Sequence, residues 1–233
     1  GAKNNDVTKV VERVAKHYGV NPISSVRMHQ MKRFVMDGVK EVALREPTPD
    51  ELATGMSEEK VPECTFEQAE VYAVDVAMST GDGKAKTGDL RTTVFKRNVE
   101  TNYRLKMKAS RYVLSEIDKK FPTLPFTLRH FEDERQAKMG ITECVNHGLL
   151  TPYPSLYEKS GASVAHFKCT VLLLPSGTSR VTGLALPEYL KTDTEPDEET
   201  KKVLEEIAEI AAKKAKKKAN KKKKKKGGGG AVN

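Results

Sequence analysis

S-V-A-H-F-K-C-T-V-L-L-L-P, residues Ser163 to Pro175, is the strongest strand pattern in the chain. The run from Val164 to Leu174 is mostly apolar, has several β-branched residues and contains no Gly or Pro, which predicts a strand. We expect this strand to be fully buried at Val171–Leu174. Lys168 lies in its middle, where an ammonium requires an anionic partner because an unpaired buried charge is very unfavourable. The pattern therefore predicts a carboxylate close to Lys168.

A second strand offers that carboxylate. Glu70 to Ser79 contain the run V-Y-A-V-D-V-A-M, with Asp75 near its centre. If the two strands pack side by side with Asp75 facing Lys168, the two residues form an enclosed ion pair, which is tolerable where either charge alone is not. We state this pair as a hypothesis.

The glycine-rich string T-G-D-G-K at residues 80–84 follows the second strand. It does not have the phosphate-loop spacing G-x-x-x-x-G-K-[ST], and it precedes another strand pattern at Arg91–Lys96, not a helix. We therefore interpret it as a hairpin turn between Glu70–Ser79 and Arg91–Lys96.

Four stretches have helical patterns. The first ends at Gly19, has a cap at Asn5 or Asp6, and carries apolar residues at helical spacing: Val7, Val10, Val11, Val14 and Tyr18. Lys108–Phe121 and Phe131–His147 predict two helices of a lobe, and Asp197–Asn220 predicts a last helix. The chain is thus divided into residues 1–100, the helical lobe 101–154, closing strands 155–195, a helix 196–220 and a tail 221–233.

The charge of the chain is concentrated near its end. The formal net charge is +9, and residues 213–226 alone contain 11 lysines and no acid, so the remainder is close to −2. Such a tail indicates a polyanionic partner, most often RNA, although a solvated tag has the same composition. We expect residues 221–233 to be disordered without a partner, because Lys221–Lys226 and Gly227–Gly230 have nothing to bury. The predicted RNA-binding residues of the tail are Lys213, Lys214, Lys216, Lys217, Lys218, Lys221, Lys222, Lys223, Lys224, Lys225 and Lys226.

The helical lobe has a second group of cations. Lys106, Lys108, Arg111, Lys119 and Lys120 surround the apolar face of its first helix. They predict a surface that meets RNA phosphate, and a solvated helix face explains them equally well.

The cysteines, the apolar runs, the first residue and the histidines each indicate something about the class of protein. Three cysteines without C-x-x-C spacing favour a reducing compartment and argue against structural zinc. No run is long and apolar enough to predict a membrane span. Gly1 is not an initiator Met, so we expect a processed product or a sequence that begins partway through a longer protein. The five histidines form no catalytic motif: His17, His29, His130, His147 and His166.

Five strings together resemble the proliferation-associated, ErbB-receptor-binding protein family: P-I-S-S-V-R-M-H-Q-M-K-R-F-V-M-D-G (22–38), E-V-Y-A-V-D-V-A-M-S-T-G-D-G-K-A-K (70–86), L-K-M-K-A-S-R (105–111), P-F-T-L-R-H-F-E-D-E (125–134) and L-Y-E-K-S-G-A-S-V-A-H-F-K-C-T-V-L-L-L-P (156–175). That family is similar to type 2 methionine aminopeptidases. The resemblance implies an α/β (α+β) pita-bread fold, in which two pseudo-symmetric halves surround a curved antiparallel sheet. This chain would form the second half, with a helical insert lobe and a basic C-terminal tail.

The aminopeptidase relatives hold two metal ions with two aspartates from the first half and a histidine and two glutamates from the second. The resemblance places that histidine at Val26 and the two glutamates at Asp75 and Lys168, and a further, substrate-facing histidine at Phe34. A lysine ammonium repels a divalent cation, so we expect no metal, no cofactor and no peptide cleavage. His29 lies close to Val26 and would restore a ligand if the alignment shifted.

The resemblance therefore implies a non-enzymatic pseudo-peptidase. Its expected partners are RNA and the large ribosomal subunit near the peptide exit tunnel, through ribosomal RNA and rim proteins, with links to ribosome assembly, translation and growth control. Its expected location is the cytoplasm and the nucleus or nucleolus. Two alternatives stay open: a residual metal-dependent methionine aminopeptidase, and a signalling scaffold that binds proteins through the C-terminal helix with Leu204 and Ile207.

Overall fold

A computed structural model describes residues 1–53, 60–184, 187 and 189–226, and beyond residue 213 it describes only the backbone of a helix. The chain forms two compact units, Gly1–Ala185 and Leu186–Asn233. The helices are α1 (Asn4–His17), α2 (Pro49–Ala53), α3 (Lys108–Lys120), α4 (Glu134–Asn146) and α5 (Glu198–Lys226), with a 3-10 turn at Leu128–His130. The strands are β1 (Asn21–Pro22), β2 (Arg27–Met31), β3 (Glu41–Ala43), β4 (Val71–Ser79), β5 (Lys86–Thr87), β6 (Val94–Arg97), β7 (Phe126–Thr127), β8 (Leu150–Tyr153), β9 (Leu156–Tyr157), β10 (Val164–Leu174) and β11 (Gly177–Arg180).

The main sheet is antiparallel and is built around β4. Its strand order is β11-β10-β4-β2-β3, and β1 also pairs with β4. The two strands predicted at Glu70–Ser79 and Val164–Leu174 are confirmed as β4 and β10, which are neighbours along nine residue pairs. Helix α1 packs against β1 and β3 and closes the core of the sheet, whose buried residues are Ile23, Met28, Val42, Leu44 and Ala77.

Helix α1 begins earlier than predicted. Its N-cap is Lys3, and neither Asn5 nor Asp6 occupies that position. The Asp6 carboxylate accepts a hydrogen bond from the backbone N–H of Lys3 at 3.0 Å from within the first turn. The buried Asn4 amide donates to the carbonyl oxygens of Glu41 and Pro62, so it ties the helix start to neighbouring segments.

The predicted full burial of Val171–Leu174 is wrong. Val171, Leu172 and Leu173 are half-buried, and 41% of Leu174 is exposed. A cavity of about 460 Å³ separates this end of β10 from α1 and is lined by Val7, Val171 and Leu173 among others. The helix therefore does not cover the end of the strand. On the edge of β10 opposite to β4, the neighbouring strand β11 has only four residues.

The predicted hairpin at residues 80–84 is also wrong. β4 already has partners on both edges, β10 on one side and β1 and β2 on the other. The strand predicted at Arg91–Lys96 forms as β6, but it belongs to a separate sheet of order β7-β6-β8. A strand with two occupied edges cannot accept a further hairpin partner, so the chain leaves the main sheet after Ser79.

The helical lobe has its own core. Helices α3 and α4 pack on each other and on the small sheet, around a buried cluster: Phe95, Leu105, Val113, Ile117, Phe126, Leu128, Phe131, Ala137, Ile141, Cys144, Leu149 and Leu150. Because Phe95 belongs to this cluster, the lobe takes in β6, which lies before the predicted range of 101–154. Helix α4 begins at Glu134, not at Phe131, because Asp133 caps it by accepting a hydrogen bond from the Gln136 N–H.

In the second unit, α5 continues through Lys226, so the prediction of disorder is wrong for Lys221–Lys226. Lysine is a good helix former, and no Gly or Pro lies between Pro196 and Gly227. Residues 227–233 lie outside the described part of the chain. Within the described ranges, no helix combines the length and apolar character needed to cross a membrane.

Candidate functional site

Asp75 and Lys168 lie directly opposite each other on β4 and β10. The Lys168 Nζ is 2.6 Å from Asp75 Oδ2, and His166 Nε2 contacts the other oxygen, Oδ1. The predicted pairing of Asp75 with Lys168 is therefore confirmed. The predicted enclosure is wrong, because 64% of the Lys168 side chain is exposed, against 13% for Asp75. The long lysine side chain reaches the carboxylate while it stays in contact with water.

The environment of Asp75 favours its charged form. Burial raises the pKa of the carboxyl group, but hydrogen bonds from Lys168 and His166, with the positive charge of Lys168, outweigh burial and hold the pKa below its usual value. Asp75 therefore stays ionised at neutral pH and neutralises the ammonium beside it.

These residues do not fit a two-metal centre. Such a centre needs several carboxylate or imidazole ligands that are free to face the ions. Both oxygens of Asp75 already contact Lys168 or His166, and the ammonium of Lys168 would repel a divalent cation. Among the residues that the structure describes, no group of three His, Cys, Asp or Glu side chains is arranged to hold a metal ion.

Val26 and Phe34, the other two positions that the resemblance singles out, lie on either side of β2. Val26 comes just before β2 and packs against the core of the sheet, which gives an apolar side chain there a structural role. His29 lies on β2 opposite Ala73, so it shares the sheet face of Asp75. Its Nδ1 is 3.6 Å from Glu41 Oε1.

Phe34 lies in a tight turn after β2. Lys32 and Val35 exchange backbone hydrogen bonds of 2.9 and 3.0 Å around it, and Phe34 has a φ of 65°. Phe34 is 67% exposed, and the Arg33 guanidinium lies 4.9 Å from the centroid of its ring.

The cations predicted on the helical lobe are all exposed. Arg111 and Lys119 line a cavity of about 810 Å³ beside α3, whereas Lys106, Lys108 and Lys120 lie outside its lining. Glu143 on α4 accepts hydrogen bonds from the backbone N–H groups of Lys106 and Met107, which fixes the start of α3.

Sequence reasoning missed two residues of this groove. Arg104 and Tyr103 also line it, and the Tyr103 ring stacks on His147 with centroids 3.6 Å apart. An aromatic residue next to an arginine is a common signal of nucleic-acid contact, and the string N-Y-R-L-K at 102–106 contained it. The groove thus combines three cations, Arg104, Arg111 and Lys119, with one carboxylate, Asp118, and the Tyr103 ring.

The tail lysines from Lys213 to Lys226 all lie within α5. The backbone therefore presents them at the helical rise of about 1.5 Å per residue, which makes the positive charge dense.

The chain is similar in sequence to several known proteins. The chain is 50% identical over 199 residues to ErbB-3 binding protein 1 of Solanum tuberosum, which covers 85% of the chain and 49% of that protein. It is 37% identical over 200 residues to the curved DNA-binding protein of Schizosaccharomyces pombe, covering 85% of the chain and 48% of the relative. Methionine aminopeptidase 2 of Verticillium alfalfae is 28% identical over 182 residues, or 73% of the chain and 38% of the enzyme.

Among solved structures, the chain is similar to a thermophilic Arx1, with a TM-score of 0.72 and 35% identity, over 87% of the chain and 52% of Arx1. This likeness and the aminopeptidase relatives confirm the pita-bread type of fold. No family model matches the chain. The chain spans about half the length of the curated relatives it matches. Over that matched half, it belongs to the ErbB-3-binding, proliferation-associated protein family.

Proposed function

We propose that the chain belongs to a non-enzymatic pseudo-peptidase that binds RNA and the large ribosomal subunit near the peptide exit tunnel. The non-enzymatic part is supported by the Asp75–Lys168 pair, because an ammonium stands where the resemblance expects a metal-binding glutamate. The same resemblance supports roles in ribosome assembly, translation and growth control, and a location in the cytoplasm and the nucleus or nucleolus.

The observation that carries the binding proposal is the density of lysine in α5. Eleven lysines lie between residues 213 and 226, within one continuous helix. Such a charge density binds polyanions by releasing their condensed counterions, without reading sequence. The groove beside α3, with Arg104, Arg111 and Lys119, supports a second contact with the phosphate backbone. The name of the fission-yeast relative also points to nucleic acid as a ligand class.

The salt dependence of RNA binding tests the role of the tail. Deleting residues 213–233, or changing the eleven lysines to glutamine, is expected to weaken binding of a ribosomal RNA fragment and to flatten the plot of log K against log salt. The slope should fall by roughly one for each phosphate that the protein no longer neutralises. Changing the same lysines to arginine keeps the charge and serves as the matched control. An unchanged slope in the glutamine variant would exclude the tail as the RNA-binding element.

The groove beside α3 is tested separately. Arg111→Ala with Lys119→Ala is expected to weaken RNA binding, because both side chains line the groove. Lys108→Ala with Lys120→Ala removes the same charge from positions outside its lining. Equal losses of affinity from the two pairs would show that only net charge matters.

The ribosomal partner is tested by co-sedimentation. The chain is expected to sediment with purified large subunits and not with small subunits at the same salt concentration. Binding to both alike would reduce the proposal to general RNA binding. Elemental analysis of the purified protein tests the non-enzymatic assignment, which about two bound equivalents of a divalent metal would overturn.

One observation favours a second role as a protein scaffold. Val203, Leu204, Ile207 and Ile210 form an apolar stripe on α5, and each is 48 to 56% exposed. Leu204→Asp with Ile207→Asp is expected to abolish binding of a signalling partner and to leave RNA binding intact, since the lysines are unchanged. Unchanged binding of both partners would reject the scaffold role.

A further inference from the structure

The turn that carries Phe34 is unfavourable for a phenylalanine. A φ of 65° lies in the left-handed region, which side chains with a Cβ rarely adopt and which suits glycine. Burial would compensate for this strain, but 67% of Phe34 is exposed. Folding therefore gains little from the ring, and glycine would satisfy the turn better. Backbone strain without a packing reason is typical of residues that contact a ligand.

Phe34 faces a groove with chemistry of its own. The groove has a volume of about 440 Å³, within the usual range for small-ligand sites, and lies between the Phe34 turn and the small sheet of the lobe. Tyr153, which is 42% exposed, provides a second aromatic ring in its lining. The Lys96–Asp37 ion pair, with Nζ to Oδ1 at 2.6 Å, links the two sides.

Charged residues of both signs line this groove, since Glu100 and Asp37 lie in its lining with Lys96 and Arg97. Lys96 and Arg97 are neutralised by Asp37 and Asp118. Lys32 and Arg33 flank Phe34 in the chain, and in the described part of the chain neither forms a salt bridge with an acid. Two unneutralised cations beside an exposed aromatic ring suit a ligand that has both negative charge and a flat face.

We propose that this groove binds an unpaired nucleobase of single-stranded RNA, stacked on Phe34, with Lys32 and Arg33 contacting the adjacent phosphates. Bases stack on aromatic rings and guanidinium planes whatever their sequence, and the flanking phosphates bring the negative charge that the two cations require. An apolar peptide would use the ring but not the cations. The inference rests on the proposed RNA binding and adds a site formed by residues other than those of α5 and of the groove beside α3.

The test compares two short RNA oligomers of equal length, one of adenosines and one of abasic riboses, which have the same phosphates but different stacking capacity. Binding to the full chain is measured in about 0.3 M salt, where contacts with exposed charges are screened. The wild type is expected to prefer the adenosine oligomer about 5- to 150-fold, which corresponds to one stacked base.

Phe34→Gly is expected to abolish that preference without lowering the melting temperature, because glycine adopts the turn without strain. Phe34→Tyr should keep the preference. Val39→Ala is the matched control, since Val39 is a 95% exposed apolar residue of the same segment outside the groove lining. A preference that survives Phe34→Gly would overturn this inference and leave the proposed RNA binding standing. Failure of the wild type to bind either oligomer would overturn both it and the proposed RNA binding.

Discussion

Lys168 shows how one charged residue is accommodated in a strand of apolar neighbours. Its ammonium leaves the sheet surface and pairs with Asp75, and 64% of the side chain is exposed. Half-exposed ion pairs contribute little to stability, typically up to about 1 kcal/mol. The pair therefore adds little stability, and the importance proposed for Lys168 is the repulsion of a divalent cation.

A double-mutant cycle measures this pair. Lys168→Met should lower the free energy of unfolding by about 1 kcal/mol or less in the wild type, and by close to nothing in an Asp75→Asn background, because the partner is already neutral there. Urea denaturation gives both values. The exposed Arg180 on the adjacent strand offers a control, since Arg180→Met should have the same small effect in both backgrounds. Equal effects of Lys168→Met in the two backgrounds would reject the coupling.

Glu51 is a buried carboxylate whose charge depends on its neighbours. The Arg45 guanidinium holds both of its oxygens at 2.7 and 2.5 Å, and the N–H and hydroxyl of Thr48 donate to Oε2. The hydrogen bonds from Arg45 outweigh the opposing effect of burial and lower the pKa of Glu51 to about 2. The charged form is therefore stabilised by folding.

Acid titration tests this residue. Because the pKa of Glu51 is lowered in the folded state, its stabilising effect is complete above the usual carboxyl pKa and is lost as the pH falls toward 2. The wild type should lose about 3 kcal/mol through this group between about pH 5 and pH 2. Glu51→Gln should be less stable at pH 7 and should lack that part of the acid dependence. Identical pH profiles of the free energy of unfolding would contradict the assignment.

Among the elements, α3 and α4 are in close contact at Gly140. A Cβ at this position would lie 2.6 Å from the Ala109 carbonyl oxygen and 2.8 Å from Val113 Cγ2. The backbone oxygen cannot move away without disturbing α3. The glycine is therefore required by packing, although glycine disfavours a helix interior.

Gly140→Ala is expected to destabilise the lobe by about 1 to 3 kcal/mol, because the overpacking outweighs the better helix propensity of alanine. Thermal unfolding followed by circular dichroism measures this change. Met139→Ala alters the adjacent, 57% exposed residue of the same helix and should change stability by less than about 0.5 kcal/mol. Stabilisation by Gly140→Ala would show that the helices can separate at no cost.

The elements also show what the sequence could predict. β4, β10 and α3 were predictable because their apolar patterns are local, and the pairing of Asp75 with Lys168 followed from two isolated charges on those strands. The partners of β6 depend on which strand edges are already occupied, and the exposure of Leu174 depends on how much of β10 is covered by α1. No local sequence pattern encodes either. Nothing in the sequence predicted the left-handed backbone of Phe34 either, since phenylalanine rarely adopts a positive φ.

At the scale of the whole first unit, two separate cores stand out. The sheet core around Val42 and the lobe core around Ile117 have no residue in common. Two cysteines can report on these cores: Cys144 belongs to the lobe core, and Cys64 is half-buried outside the cluster that forms the sheet core. Cys144 is fully buried in the lobe, where burial raises its thiol pKa to about 11. Cys64 lies beside the start of α1, and burial raises its pKa as well.

These thiols allow the cooperativity of the two cores to be measured. The buried Cys144 thiol, whose pKa is raised, reacts with an alkylating reagent only when its surroundings open, whereas the half-buried Cys64 thiol also reacts in part from the folded state. Ile117→Ala should cost about 2 to 5 kcal/mol in the lobe core and accelerate labelling of Cys144 by about 30-fold or more, while labelling of Cys64 stays unchanged. Val42→Ala should accelerate labelling of Cys64 above its rate in the wild type and leave labelling of Cys144 unchanged. Mass spectrometry resolves the two sites, and equal acceleration of both by either substitution would show that the sheet and the lobe open as one unit.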